Sequence, residues 1–290
     1  MSAMPRNSAS LHTISNCYTV PQREGEKMKI GVTQIILGNM SLDDTLSLCQ
    51  DAGYDAVELT FGEGKDTDIN MSDTELRGIT AKCKAAGIEI GSITAGYADR
   101  GNLLSLEATQ REKGAVSLAR GLEVAGALGV GGILLHPGQL TAEGTYQEVW
   151  DNLVGILKDL APSAEAHKVA IGLENVWNKF LLSPKEMRDI VDEIDSEWVG
   201  TYLDTANMMA YGYPEHWIRE LAHRIKRVHF KDFARGAHQF VNLLDGDTDW
   251  KAVMAAFRSI GYDGYVIHEV GGDRAAQIDL AKRMRKIVAM

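Results

Sequence analysis

The chain has 290 residues, 45% of them apolar and 24% charged, and a formal net charge of −10. That balance is ordinary for a globular chain that buries a full core, and its negative sign excludes an electrostatic footprint for nucleic acid or an acidic membrane surface. No run reaches the roughly 18 apolar residues of a membrane span; Cys17, Cys49 and Cys83 form no CxxC pair and leave an odd count, which argues against a disulfide framework and for a reducing cytoplasm.

Residues 1–27 are polar and turn-rich, without a continuous apolar stretch or a small-residue cleavage site, and read as a flexible N-terminal extension before a catalytic domain at 28–290. From Lys29 onward, apolar runs alternate with helical periodicity. The strand candidates are KIGVTQII (29–36), DAVELTF (55–61), IEIGSIT (88–94), GGILLH (131–136), VAIGLE (169–174), WVGTYLD (198–204), RIKRVHF (224–230) and GYVIHE (264–269). Helix entries are marked by Ser41, by Ser72 with Glu75 three residues on, and by Ser183 before Pro184. Exits are marked by glycine before Ile88, Ile133 and Tyr265, where a left-handed cap lets the chain leave the helix. Eight such units predict a single-domain (β/α)8 TIM barrel, a fold that typically takes about 250 residues.

Parallel strands covered on both faces should be apolar throughout, so polar groups in them demand a reason. Glu174, Asp204, His229 and Glu269 stand at or near the ends of the fifth to eighth runs, one per β/α repeat. In a barrel those ends surround one mouth. Three carboxylates gathered there are costly without a cation. With one imidazole they suit a single divalent ion, manganese in first place and magnesium or cobalt as alternatives. Side-chain alternation then turns Gly172, Gly200, Tyr202, Tyr265 and Ile267 inward and His268 out toward the helices.

Further candidates line the same ends. His136 closes the fourth run and is placed to touch a sugar hydroxyl. Glu58, an acid inside the second run, is counted with the substrate contacts, a hydrogen bond within the barrel being its other reading. Asn207, Lys231 and Asp232 fall in loops above the mouth, where polar groups are often ligand contacts. Arg235 could hold a phosphate or carboxylate, and Trp177 and Phe180 offer aromatic faces on which sugars stack. No GxGxxG or GxxxxGK[ST] element is present, so a nucleotide fingerprint is absent.

The segments GLENVWNKFLLSP, YLDTAN, RVHFKDF, LLDGDTDW and GYDGYVIHE resemble the xylose-isomerase-like barrel superfamily, in particular its sugar (phosphate) isomerase/epimerase members, over residues 28–290. By that resemblance Glu174, Asp204, His229 and Glu269 hold one metal ion, and the two glutamates double as catalytic acid and base. Arg235 matches a substrate-binding arginine of the ketose 3-epimerases. Asn207 stands where those enzymes carry a histidine, and Phe180 where they carry a second substrate-binding glutamate.

The resulting expectation is a sugar or keto-sugar isomerase/epimerase that moves a proton through an enediolate, acting on a small sugar as a homodimer or homotetramer. A lyase or dehydratase on a keto-sugar or keto-cyclitol, including cleavage of a 3-keto-glycoside, is the alternative on the same metal site. A non-catalytic sugar-binding barrel is a third reading. The DNA-repair endonuclease branch of the superfamily, with its trinuclear zinc site and extra histidines, fits less well: Asn207 replaces one of those histidines, and the acidic chain lacks a phosphate-tracking surface.

Overall fold

Local signals in the chain fix where most of the helices begin or end. The side chains of Ser41, Ser72, Thr145 and Ser183 each accept a hydrogen bond from a backbone N–H of the first turn, the last three in reciprocal boxes with Glu75, Glu148 and Glu186. Each such cap stabilises by about 1 kcal/mol. Gly53, Gly87, Gly129 and Gly261 end their helices in the left-handed conformation.

The computed structural model describes residues 28–95 and 101–290, so the extension expected at 1–27 lies outside the described residues. The elements in chain order are β1 (Lys29–Thr33), α1 (Leu42–Ala52), β2 (Ala56–Thr60), α2 (Asp73–Ala86), β3 (Glu89–Ala95), α3 (Ala108–Leu128), β4 (Gly132–Leu135), α4 (Tyr146–His167), β5 (Ala170–Glu174) and α5 (Pro184–Ile194). They continue with β6 (Val199–Asp204), α6 (Pro214–Leu221), β7 (Ile225–Phe230), β8 (Asp232–Ala234), β9 (Gln239–Val241), α7 (Trp250–Ile260), β10 (Tyr265–His268) and α8 (Arg274–Val288). β1 to β7 and β10 close a barrel in the order β1-β10-β7-β6-β5-β4-β3-β2, every pair parallel. The predicted single-domain (β/α)8 barrel is therefore the fold.

The main core lies between the barrel wall and the helix ring, where strand residues such as Ile30, Leu59, Ile133, Ile171, Leu203 and Val228 meet helix residues such as Leu122, Leu153, Met187 and Met284. Each such side chain contributes about 1.5–3 kcal/mol on burial. Inside the barrel, below the mouth, Arg227 donates from Nε to the Gly91 carbonyl at 2.9 Å and lies over the Tyr265 ring at 5.3 Å. Glycine is required opposite them: a Cβ on Gly91 would come 3.0 Å from the Tyr265 ring, and one on Gly132 would come 3.0 Å from the Arg227 guanidinium carbon. His268 points outward as expected, and bonds the Tyr54 hydroxyl at 2.7 Å.

Two features differ from the expected pattern. The first strand stops at Thr33, not Ile36, because the Thr33 side chain caps a 3-10 turn over Gln34–Leu37. Gln34 is thereby turned to bond Asp66 and the Thr60 backbone. Secondly, an antiparallel hairpin, β8–β9, is inserted between β7 and α7.

Asp232, expected above the mouth as a substrate contact, is instead the anchor of that insertion. It is fully buried and accepts hydrogen bonds from the backbone N–H groups of Phe233, Leu244, Gly246 and Thr248, the Thr248 hydroxyl and the Trp250 indole. Removing it would strand several buried donors, each costing about 1–3 kcal/mol. Asp232→Ala should therefore lose upward of about 3 kcal/mol in urea unfolding, and a loss below 1 kcal/mol would contradict the anchoring role.

Candidate metal and catalytic site

The strand ends carry the four predicted ligands to one point. Glu174 ends β5, Asp204 ends β6, His229 lies one residue before the end of β7, and Glu269 follows β10 directly, its N–H still bonded to the Phe230 carbonyl. One ligand atom from each lies within 4.8 Å of the others. Glu174 and Glu269 come from strands separated in the ring by β6 and β7, so they face the centre from two sides.

Asp204 and His229 are each held by neighbours that leave one atom for the centre. Oδ1 of Asp204 accepts the N–H groups of Ala206 and Asn207 at 2.8 and 2.7 Å, and its backbone is clasped by the Asn175 amide. Its Oδ2 is buried and accepts no hydrogen bond. Nε2 of His229 faces Glu58 Oε1 at 3.0 Å, and its Nδ1 is likewise buried without a hydrogen bond. These two atoms without a hydrogen bond converge with two further carboxylates; once the imidazole gives up its proton, the set is all hard or borderline donors, none a thiolate, and fits a divalent ion such as manganese, magnesium or cobalt.

Burial and crowding set the charges. Burial, with the negative charge of Glu269 next, pushes the Glu174 carboxyl up to about 8. For Glu269 burial acts in the same direction, but the nearby His229 ring and the charge of Lys231 outweigh it and bring the group down to about 2. Burial alone would discharge His229, yet the Glu58 carboxylate beside it raises its pKa well above the usual value. Lys231 is kept charged against burial by Asp204 and Glu269.

The remaining candidates divide. Asn207 is buried against the cluster, its amide donating to the Asn175 carbonyl at 2.9 Å and reaching Glu174 Oε1 at 3.5 Å. Lys231 lies 3.1 Å from Glu269 and 3.3 Å from Asp204. His136 is partly buried and accepts the Gly138 N–H at Nδ1; burial lowers its pKa, so the neutral ring carries its proton on Nε2. Trp177 is 44% exposed, donates to the Asn207 carbonyl at 2.6 Å, and lies 5.1 Å from the Phe240 ring.

Three placements correct the sequence reading. Glu58 is not at the substrate surface: it is 0% exposed, with one oxygen on His229 and the other accepting the Tyr202 hydroxyl at 2.6 Å. Arg235 does not offer a free guanidinium, because it bonds the carbonyls of Met209 and Gly212 and stacks over Tyr213, tying the β6–α6 loop. Phe180 is buried against Tyr146 and Trp150 and presents no sugar platform. Sequence reasoning missed Asn175 and Phe240. Asn175 had a signal, an amide next to a ligand, whereas nothing marked Phe240 before the hairpin was known. Beside the cluster a cavity of about 520 Å³ is lined by Lys231, Glu269, Phe240, Asn242, Asp245 and their neighbours, a size suited to a small ligand.

This fold and this constellation define an eight-stranded β/α barrel with a buried carboxylate–imidazole cluster at its mouth. The family model described as xylose isomerase-like TIM barrel matches residues 46–288, and the chain belongs to that family. It is similar to the L-ribulose 3-epimerase of Mesorhizobium japonicum, 24% identical over 83% of this chain and 80% of that one. Among solved structures it is similar to a D-tagatose 3-epimerase-like protein (TM-score 0.78, 21% identity, 90% and 97% of the two chains). It is also similar to the 3-keto-D-glucoside 4-epimerase of E. coli (TM-score 0.74, 17% identity, 91% and 100%). No helix among the described residues is long and apolar enough to cross a membrane.

Two outcomes are expected. Glu58→Gln keeps a partner for Tyr202 but no longer holds His229 as a carboxylate, and should weaken manganese binding in calorimetry by about 10- to 100-fold. The second concerns pH in the presence of a chelator. A carboxyl raised on folding from 4.5 to about 8 keeps a proton that the unfolded chain releases, so Glu174 stabilises below its unfolded value and loses that contribution as pH rises through the window. The raised His229 acts in the same direction above its unfolded value. The melting temperature in chelator should fall between about pH 5 and 8 and recover on adding manganese; a rise over that window would contradict the crowded-carboxylate geometry.

Proposed function

We propose that this protein is a divalent-metal-dependent sugar or keto-sugar epimerase or isomerase. The observation that carries the reading is the pair of glutamates, Glu174 and Glu269, brought from opposite sides of the mouth to a cluster whose Asp204 Oδ2 and His229 Nδ1 have no hydrogen-bond partner. The epimerases among its relatives and structural neighbours support the same class.

Glu174, Asp204, His229 and Glu269 would hold the ion, with manganese preferred. Bound there, a divalent ion supplies Lewis acidity, which makes a carbon next to a carbonyl more acidic and steadies the enediolate charge. The chain's own groups do the rest. One glutamate removes the proton from one face of the carbon and the other returns one to the opposite face, which inverts the centre; return to the neighbouring carbon isomerises. Asn207 orients Glu174 through its amide, and His136, with its Nε2 proton, is placed to donate to a sugar oxygen. Trp177 and Phe240 wall the approach and exclude water from one side.

Solvent deuterium exchange into ketoses and 3-keto-glycosides, followed by NMR, tests the proposal. Wild-type protein with manganese should exchange one carbon-bound hydrogen, and Glu174→Gln and Glu269→Gln should each lose about 10² to 10⁴ in rate while melting as wild type. Exchange that survives in both variants would rule out the proton-transfer mechanism. Release of water or an aglycone, seen by mass spectrometry, would move the assignment to the lyase alternative.

A further inference from the structure

Lys231 follows His229 by two residues, and the strand end aims it at the cluster. Its side chain is 13% exposed. The ammonium lies 3.3 Å from Asp204 Oδ2 and 3.1 Å from Glu269 Oε2, and 4.7 Å from the centre of the Phe240 ring. These are the same oxygens that face the centre: the other oxygen of Asp204 is taken by two backbone N–H groups, and Glu269 Oε2 is 3.5 Å from His229 Nδ1. A cation fixed by the fold therefore shares donor atoms with the cation the site would bind.

Resting on the metal-dependent reading above, we propose that Lys231 is a resident counter-cation that competes with the metal for Asp204 and Glu269 and so sets how tightly the ion is held. The charge count gives it a second effect. With the ion bound, Glu174, Asp204 and Glu269 bring three negative charges and Glu58, behind His229, a fourth, and a divalent ion cancels two of them. Lys231 cancels one more, so negative charge developing on a substrate oxygen meets a less anionic cluster. Loss of the ammonium should thus move two properties in opposite directions. Metal is held more tightly and turnover slows. A side chain that only supported packing would weaken both.

The experiment is manganese titration by calorimetry into chelator-treated full-length wild type, Lys231→Met and Lys231→Arg. Removing a positive charge a few ångströms from the ion should tighten binding to Lys231→Met by at least about tenfold. Lys231→Arg, which keeps the charge, should stay within about threefold of wild type on the same electrostatic argument. In chelator, Lys231→Met should melt lower than wild type, and added manganese should raise its melting temperature by more. If Lys231→Met folds only with manganese present, the rate at which a chelator strips the ion replaces the titration, and slower release than from wild type is expected. Equal or weaker binding, or equal or faster release, in Lys231→Met overturns this proposal and leaves the metal-dependent reading in place. Manganese binding by Lys231→Met alone would support competition in its strongest form. No binding by any of the three proteins overturns the proposal together with the metal-dependent reading.

Discussion

Three carboxylates and an imidazole must share one small, poorly hydrated space at the mouth of the barrel, and most of the surrounding structure answers that constraint. Buried like charges repel strongly and are tolerated only when compensated. Compensation here comes in layers. Backbone N–H groups take one oxygen of Asp204, the Asn207 amide approaches Glu174, and Lys231 lies against Glu269 and Asp204. None of these neutralises the set completely. Oδ2 of Asp204 and Nδ1 of His229, neither of which makes a hydrogen bond, mark where the remaining positive charge belongs.

The same contacts determine geometry. A carboxylate with one oxygen committed can turn only its other oxygen to the centre, and an imidazole with Nε2 committed can offer only Nδ1. Glu58 is central to this arrangement although it is fully buried. It reaches across the barrel from β2, with Tyr202 of β6 on one oxygen and His229 of β7 on the other, and so locks three strands below the mouth in a single hydrogen-bonded layer. Beneath that layer Arg227 and Tyr265 fill the interior, with glycines opposite them where a Cβ would collide. The cluster is thus carried on strands whose interior spacing is fixed by packing, the condition under which preorganised charges act without reorganisation at the moment of reaction.

The fold was legible because its signals are local. Eight apolar runs, serine caps and glycine exits each speak about a few adjacent residues, and the converging quartet was visible because its members recur at matching places in successive repeats. What stayed hidden depended on distance in the chain. Glu58 and His229 are 171 residues apart, so no periodicity joins them. A loop arginine such as Arg235 looks the same in sequence whether it meets a ligand or the carbonyls of Met209 and Gly212, since backbone acceptors carry no sequence signature. The short β8–β9 hairpin escaped for a related reason. Its two strands are three residues each, too short for alternation to register, and its anchor at Asp232 is made mostly with backbone groups.

That hairpin separates two tasks that the barrel would otherwise combine. The ligands end rigid strands and have little freedom to vary without losing the charge balance. Phe240, by contrast, stands on an insertion anchored through Asp232, and it forms the wall of the mouth with Trp177 from a different loop. Changes in hairpin length or in Phe240 would reshape the cavity beside Glu269 and Lys231 without shifting a strand end. The carboxylate–imidazole quartet is therefore tied to the barrel and the shape of the cavity to its wall, so Asn207 and Phe180 can differ from the pattern that the resemblance implies while the quartet itself is complete. Asn207 reaches Glu174 through its amide and Phe180 packs in the core, so the open surface beside the quartet lies on the hairpin side.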